Sequence, residues 1–248
     1  MTMLLDALPV IGAFLLAGFV KGVAGFGLPT VTLGLLALTR PLPDAMALML
    51  VPALATNLWQ AFAGPHLGAA LRRLWPFLLT AGIGALAGTG ILARSDATVL
   101  SGLLGLLLMA SAALSLSGWP VPPPGPRRER WVSPAMGLAS GVVTGMTGSF
   151  LMPAAPYLVA LRLPPGEFIQ GFGLGVVVAT GALAIGLAGG GLLPEELGLA
   201  SLAGVVPAFL GMAAGQRLRR GMAEARFRRV VQAALGVLGF YLAVKAFI

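Results

Sequence analysis

The sequence has no cysteine and only one histidine, His66, in 248 residues. Without cysteine the chain has no disulfide, no thiolate metal ligand and no cysteine nucleophile. A single histidine also leaves little scope for a soft metal ion or a haem, so we predict no cofactor and no metal site. Charge is scarce too, because Asp, Glu, Lys and Arg together make up only 10% of the residues.

Apolar residues, by contrast, make up 58% of the chain, and the mean hydropathy is +0.95. That is too apolar for the surface of a soluble domain of this size, and we predict an all-α polytopic membrane protein. Eight apolar runs fit this class, four in each half: 8–38, 45–63, 74–93, 98–117, 132–161, 168–188, 197–214 and 230–244. No basic segment precedes the first run, so we expect no cleaved signal peptide.

The first run of each half is longer than one straight span needs, and each is interrupted by glycines and a proline. The first break reads Gly18-Phe-Val-Lys-Gly-Val-Ala-Gly-Phe-Gly-Leu-Pro29, and the second runs from Gly141 to Pro153 with three of its glycines 123 positions after their counterparts. Paired breaks of this kind mark the binding site of many secondary transporters, because unwound backbone survives in a membrane only where it lines a cavity. The alternative is that these glycines only kink or pack helices.

The basic residues indicate how the two halves are related. If each long run crosses once, the basic loop residues divide nine to six; if each run turns back at its break, they divide twelve to three. Because arginine and lysine concentrate in cytoplasmic loops, we predict two inverted-topology repeats, each with a broken or re-entrant first helix. The predicted segments are an N-terminal repeat over 1–117, a cytoplasmic Pro-rich linker over 118–131 and a C-terminal repeat over 132–248. Both termini are then outside the cytoplasm.

Lys21 is the only charged residue deep inside an apolar run, and no run contains a carboxylate. An intramembrane lysine is costly and indicates a functional site, so we predict that it binds a substrate anion. Two alternatives remain open: Lys21 extends to an interface, or its amine is neutral. The full predicted substrate-binding set comprises Lys21, Gly22, Gly25, Gly27, Pro29, Asn57, Gln60, Thr144, Gly145, Gly148, Ser149 and Gln170. Hydroxyl residues in membrane helices also bond their own backbone, which is the alternative for Thr144 and Ser149.

Two further glycine pairs are predicted to pack helices against each other. Gly84 and Gly88 lie four residues apart in the first half, and Gly211 and Gly215 lie four apart in the second. Small residues at this spacing let two helix backbones approach closely in lipid.

Taken in order, these features resemble the TauE/SafE family of sulfite and organosulfonate exporters. The resemblance rests on the two glycine breaks, on the prolines at 41–43 and 164–165, and on the two glycine pairs with the basic stretch that follows. It implies a secondary transporter of small sulfur-containing anions. The chain departs from the family pattern at Ala24, Phe26, Thr147 and Ser149, where glycine is more common, which bears on the shape of the pocket.

We therefore predict a secondary transporter of the cell inner membrane that moves small anions by alternating access. We expect it to bind the anion, membrane lipid and a coupled proton or cation. The sequence is compatible with a homodimer, and we expect no binding of nucleic acid. A passive anion channel is the alternative, since the same residues can line a pore. A membrane-embedded enzyme is the remote alternative, because the spans contain no histidine, cysteine or carboxylate constellation for acid–base or metal chemistry.

Overall fold

A computed structural model describes residues 2–119, 121–219 and 224–247. Seven positions lie outside the described residues: 1, 120, 220–223 and 248. One of them, Arg220, is among the twelve basic residues predicted to lie on the cytoplasmic side. The described ranges contain helices and no strand. The helices are α1 (Thr2–Ala24), α2 (Leu28–Leu36), α3 (Leu42–Phe62), α4 (Leu67–Leu92), α5 (Ala97–Ser117), α6 (Pro126–Thr147), α7 (Ala154–Ala160), α8 (Pro165–Gly189), α9 (Glu195–Ala203), α10 (Val205–Arg219) and α11 (Glu224–Phe247).

Six helical stretches of the described chain are long and apolar enough to cross a membrane, and Leu8–Ala24 is a shorter apolar helix. The six are Leu42–Phe62, Leu67–Leu92, Ala97–Ser117, Pro165–Gly189, Glu195–Arg219 and Arg229–Phe247, the fifth of which takes in both α9 and α10. A helix satisfies its own backbone hydrogen bonds, which lipid cannot do. The chain is a multi-pass α-helical membrane protein, as predicted.

The helices form two compact units that are interleaved along the sequence. The first unit comprises Met1–Pro52, Asp96–Gly118 and Leu193–Ile248, and the second comprises Ala53–Ser95 and Trp119–Leu192. Each unit draws on both of the sequence halves defined above. The chain passes from one unit to the other inside α3, at Pro52, and elsewhere between helices.

In the first unit, α1 packs against α10 through glycines on both helices. A methyl group at Gly22 would collide with the carbonyl oxygen of Met212, and one at Gly215 would collide with that of Phe19. A second pair, α5 and α11, meets in the same way at Gly105 and Gly239. The backbones therefore approach as closely as small-residue packing in lipid permits.

The second unit repeats this packing with α4 and α6. Methyl groups at Gly84 and Gly88 would collide with the carbonyl oxygens of Leu138 and Val142 on α6. The predicted packing role of Gly84, Gly88, Gly211 and Gly215 is confirmed. The partner helix in each case comes from the other half of the sequence: α1 takes α10, and α4 takes α6.

The predicted linker differs from the structure at its C-terminal end. Helix α6 begins at Pro126, so residues 126–131 are helical rather than extended. A proline is tolerated in the first turn of a helix, because the N–H that it lacks would have no intrahelical partner there. The three arginines and Glu129 that follow then continue the helix, and the extended segment ends at Gly125.

A proline inside α3 is accommodated by a serine from α9. Pro52 has no N–H, so the carbonyl of Leu48, four residues earlier, loses its helical donor. The Ser201 hydroxyl donates to this Leu48 carbonyl at 2.6 Å and accepts the Val51 N–H at 3.1 Å. Ser201 is fully buried, and these contacts lie within the first unit.

Candidate functional site

The first break separates α1 from α2 in the first unit. The Gly25 N–H donates to the Lys21 carbonyl at 2.7 Å, and Gly25 takes a φ of 82°. Gly27 has a φ of 103° and caps α2, and Pro29 lies in the first turn of that helix. These left-handed conformations favour glycine, since a Cβ atom would clash with the following carbonyl. Residues 25–27 are thus non-helical between two helices.

Lys21 lies in the last turn of α1 with only 2% of its surface exposed. Helix C-termini favour a cation, because the aligned peptide dipoles leave partial negative charge there. The first break starts four residues after Lys21, at Gly25, and α2 begins at Leu28. The N-terminal end of α2 therefore follows Lys21 closely in the sequence. In the described residues, Lys21 is thus a buried lysine four residues before the first non-helical residue, Gly25.

The second break separates α6 from α7 in the second unit and begins in the same way. The Gly148 N–H donates to the Thr144 carbonyl at 2.7 Å, and Gly148 has a φ of 74°. Thr144 and Gly148 are the counterparts of Lys21 and Gly25 at the spacing of 123. The non-helical stretch is longer here, since α7 starts only at Ala154, after Pro153 as its cap.

The Cβ positions of Gly22 and Gly145, two glycines of the predicted substrate-binding set, face neighbouring helices. Gly22 lies against α10, with the Cβ position 2.9 Å from the Gln216 nitrogen. Gly145 lies against α4, with the Cβ position 2.6 Å from the Thr89 nitrogen. A backbone covered this closely leaves no room for a ligand on that side, and close helix packing accounts for both glycines.

Gln170 and Gln60 connect α3 to α8 in the second unit. The Gln170 amide donates to the carbonyls of Ala61 at 2.6 Å and Gly64 at 3.1 Å, and its oxygen accepts the His66 N–H at 2.7 Å. Gln60 donates to the Ile169 carbonyl at 2.7 Å. Side chains thereby satisfy the Ala61 carbonyl in the last turn of α3, the Gly64 carbonyl in the loop and the N–H of His66, which caps α4. Both Gln170 donors are engaged in holding this loop.

Asn57 lies on the buried side of α3 with 1% of its surface exposed. Its amide donates to the Ala53 carbonyl, one turn earlier, at 2.7 Å. Asn57, Gln60 and Gln170 belong to the second unit together with Thr144, Gly145, Gly148 and Ser149. Lys21, Gly22, Gly25, Gly27 and Pro29 are brought together in the first unit.

Two residues outside the predicted set hold the second break. The Thr147 hydroxyl accepts the Ser149 N–H at 3.3 Å, and the Phe150 ring lies edge-on to Phe77 and to Phe172. For Thr147 the sequence signal is its departure from glycine in an otherwise glycine-rich segment, whereas nothing in the sequence singles out Phe150. That departure indicated an altered pocket, but not that side chains fill it.

The comparison with known protein families supplies the functional class. The sequence model of the family described as "Sulfite exporter TauE/SafE" matches residues 10–242, which is nearly the whole chain. No curated protein and no solved structure matches. With two helical breaks, six candidate spans and this match in hand, the protein belongs to the TauE/SafE sulfite exporter family of membrane transporters.

Proposed function

We propose that the protein is a secondary transporter that carries sulfite or a small organosulfonate across the inner membrane by alternating access. The observation that carries this proposal is the position of Lys21, a buried lysine in the last turn of α1, shortly before an unwound glycine segment. Family membership supports the substrate class. A gradient of protons or another cation supplies the energy, since the sequence has no Gly-rich phosphate-binding loop of the NTPase type.

The chemistry of the first break suits a small oxyanion. The Lys21 ammonium provides the charge, and the N-terminal end of α2 provides backbone N–H groups and partial positive charge. Gly27, at the start of α2, leaves space beside the backbone, because among the described residues other than its chain neighbours only a Val20 methyl, at 3.9 Å, lies within 4 Å of its Cβ position. The predicted residues that belong to the second unit remain predictions.

The charge of Lys21 gives the test of the site. Lys21→Ala should weaken sulfite binding by roughly 10- to 150-fold, because a hydrogen bond to a charged group contributes about 1.5–3 kcal/mol. Sulfite binding is measured as the rise in thermal unfolding midpoint of the purified protein, since a ligand that binds the folded state stabilises it. Sulfate, sulfonates and carboxylates are compared in the same assay.

Lys245→Ala is the matched control for that experiment. Lys245 also belongs to the first unit, but it is exposed, and its amine donates to the Leu38 carbonyl at 3.1 Å. This variant should retain sulfite affinity and transport. Equal sulfite affinity in Lys21→Ala and the unmodified protein would refute the site.

A carrier is distinguished from the passive channel by counterflow in proteoliposomes. Unlabelled sulfite preloaded inside the vesicles should accelerate uptake of labelled sulfite by a carrier, because the loaded site returns faster than the empty one. A pore gives no such acceleration. Absence of counterflow alongside substrate-specific flux would favour the channel.

Inverted repeats also form part of the proposal, and the supporting observation is the twelve-to-three division of basic residues. The natural absence of cysteine allows a direct test with single cysteines at positions 123 and 193. An impermeant thiol reagent on intact cells should label position 193 and leave position 123 unlabelled until the membrane is opened. Labelling of both positions from outside would refute the inverted topology.

A further inference from the structure

The two breaks start with the same backbone hydrogen bond but carry different side chains at several matched positions, Phe26 and Ser149 among them. At the spacing of 123, Lys21 corresponds to Thr144, Ala24 to Thr147, and Gly27 to Phe150. A charged, a small and an absent side chain in the first break thus stand where two hydroxyls and an aromatic ring stand in the second. These differences determine whether each break has polar groups and space for binding a ligand.

In the second break, threonine hydroxyls bond to the unwound backbone. The Thr147 hydroxyl donates to the Val143 carbonyl at 2.7 Å and accepts the Ser149 N–H at 3.3 Å. The Thr144 hydroxyl lies 2.7 Å from the Ser140 carbonyl and 3.3 Å from that of Ser149. The Ser149 N–H therefore has a partner within the break itself, and the Ser149 carbonyl shares the Thr144 hydroxyl proton with the closer Ser140 carbonyl.

The Phe150 ring fills the space beside that backbone. Its centroid lies 6.0 Å from that of Phe77 on α4 and 5.9 Å from that of Phe172 on α8, in edge-to-face contacts. Gly175 on α8 accommodates the ring, since its Cβ position is 2.7 Å from a Phe150 ring carbon. Edge-to-face aromatic pairs are stabilising beyond the area they bury, so this packing holds the segment in one position.

Burial separates the two breaks as well. Residues 147–151 of the second break are all buried; in the first break Lys21 and Gly27 are buried as well, but Ala24, Gly25 and Phe26 between them are only half-buried. Neither threonine hydroxyl has a counterpart in the first break, where Ala24 offers a methyl group and Lys21 an ammonium. A ligand at the second break must therefore displace a packed ring and the hydrogen bond between Thr147 and Ser149.

We propose that the transported anion binds at the first break alone and that the second break is a rigid, ligand-free support. This rests on the proposed function for the identity of the ligand as a small sulfur-containing anion. Replacing made hydrogen bonds by a ligand gains little unless the ligand brings new charge interactions, and the second break holds no cation to provide them. The roles predicted for Thr144 and Ser149 then become structural.

Matched single cysteines in the cysteine-free chain test this directly. Ala24→Cys and Thr147→Cys occupy equivalent positions, and Phe26→Cys and Ser149→Cys form a second pair in which the serine replacement is nearly isosteric. Each purified variant is treated with 2-sulfonatoethyl methanethiosulfonate, a small anionic sulfonate, in detergent, where both faces are reachable. Labelling after denaturation counts the total thiol, and size-exclusion chromatography shows that each variant is folded.

We expect the first-break cysteine of each pair to react at least about tenfold faster, which corresponds to about 1.4 kcal/mol of opening free energy at the second break. Equal rates, faster reaction in the second break, or no reaction in either break would overturn the proposal. Sulfite is then added as a protecting ligand. Protection confined to the first break supports both proposals, whereas protection at the second break contradicts the assignment of the site.

The two proposals fail separately in this design. If the labelling rates differ as expected but sulfite protects neither cysteine, the proposed substrate is wrong and the asymmetry of the breaks stands. If sulfite slows labelling at both breaks, the substrate class stands and the asymmetry is wrong.

Discussion

Gly88 offers a sharp test of how closely the helices pack, because Gly90 on the same helix serves as its control. A methyl group at Gly88 would collide with the carbonyl oxygen of Val142 and lie 2.9 Å from the Gly145 α-carbon. At Gly90 nothing lies within 4 Å of the Cβ position. Both glycines are helical residues of α4, so replacement by alanine changes the same backbone propensity at each.

The expected magnitudes follow from these two environments. Alanine is favoured over glycine inside a helix by about 0.5–1 kcal/mol, so Gly90→Ala should stabilise the protein by up to that amount. Gly88→Ala gains the same helix propensity, but its methyl group must push α4 and α6 apart, because the neighbouring atoms belong to the backbone and cannot rotate away. Overpacking of this kind costs about 1–3 kcal/mol. The two variants should therefore differ by about 1–3 kcal/mol.

Equilibrium unfolding in mixed detergent and SDS micelles, followed by far-UV circular dichroism, measures the difference. Gly22→Ala and Gly12→Ala repeat the comparison on α1 in the first unit, since Gly22 lies against α10 and Gly12 has an open Cβ position. The same order of stabilities is expected there. If Gly88→Ala is as stable as Gly90→Ala, the close α4–α6 packing described above is wrong.

Two other predictions concern buried hydrogen bonds. Ser201→Ala should lower the free energy of unfolding by about 1–3 kcal/mol, because the Leu48 carbonyl is left without a donor. The loss should be smaller in a Pro52→Ala background, where residue 52 regains an N–H that can donate to that carbonyl. A double-mutant cycle in the same unfolding assay measures this coupling, and additive effects would contradict it. Gln170→Leu should speed hydrogen exchange at the His66 amide by at least about tenfold, because the loop after α3 loses three hydrogen bonds. Unchanged exchange would show that Gln170 does not hold this loop.

The spacing of glycines and prolines predicts a break in the first run of each half, and the described chain has non-helical residues at 25–27 and 148–153. Gly25 and Gly148 fall at the start of the non-helical residues and adopt the left-handed conformation for which glycine is suited. Glycine alone does not reveal what it faces, however. Gly22 and Gly145 were grouped with the binding residues because a ligand and a neighbouring helix make the same demand for a missing side chain. Their partners, α10 and α4, are set by tertiary packing.

Polar side chains inside apolar runs carry the same ambiguity. Gln170 is predicted to bind substrate because an amide can hydrogen-bond an oxyanion without the desolvation cost of a second charge. Its partners are the carbonyls of Ala61 and Gly64 and the N–H of His66, and these depend on how the loop after α3 folds back. Neither hydropathy nor residue spacing predicts the path of the loop after α3. The apolar runs themselves were enough to predict the class of protein.

The pairing of α1 with α10 has a consequence for the order of assembly during synthesis. The second unit is complete once Leu192 has been made, so α4, α6 and α8 can pack together before the last helices exist. The glycine face of α1, although synthesised first, has no α10 to close against until residues 205–219 emerge. The segment that carries Lys21 is therefore among the last parts of the protein to reach its final packing, and a nascent chain that stops before α10 leaves it exposed.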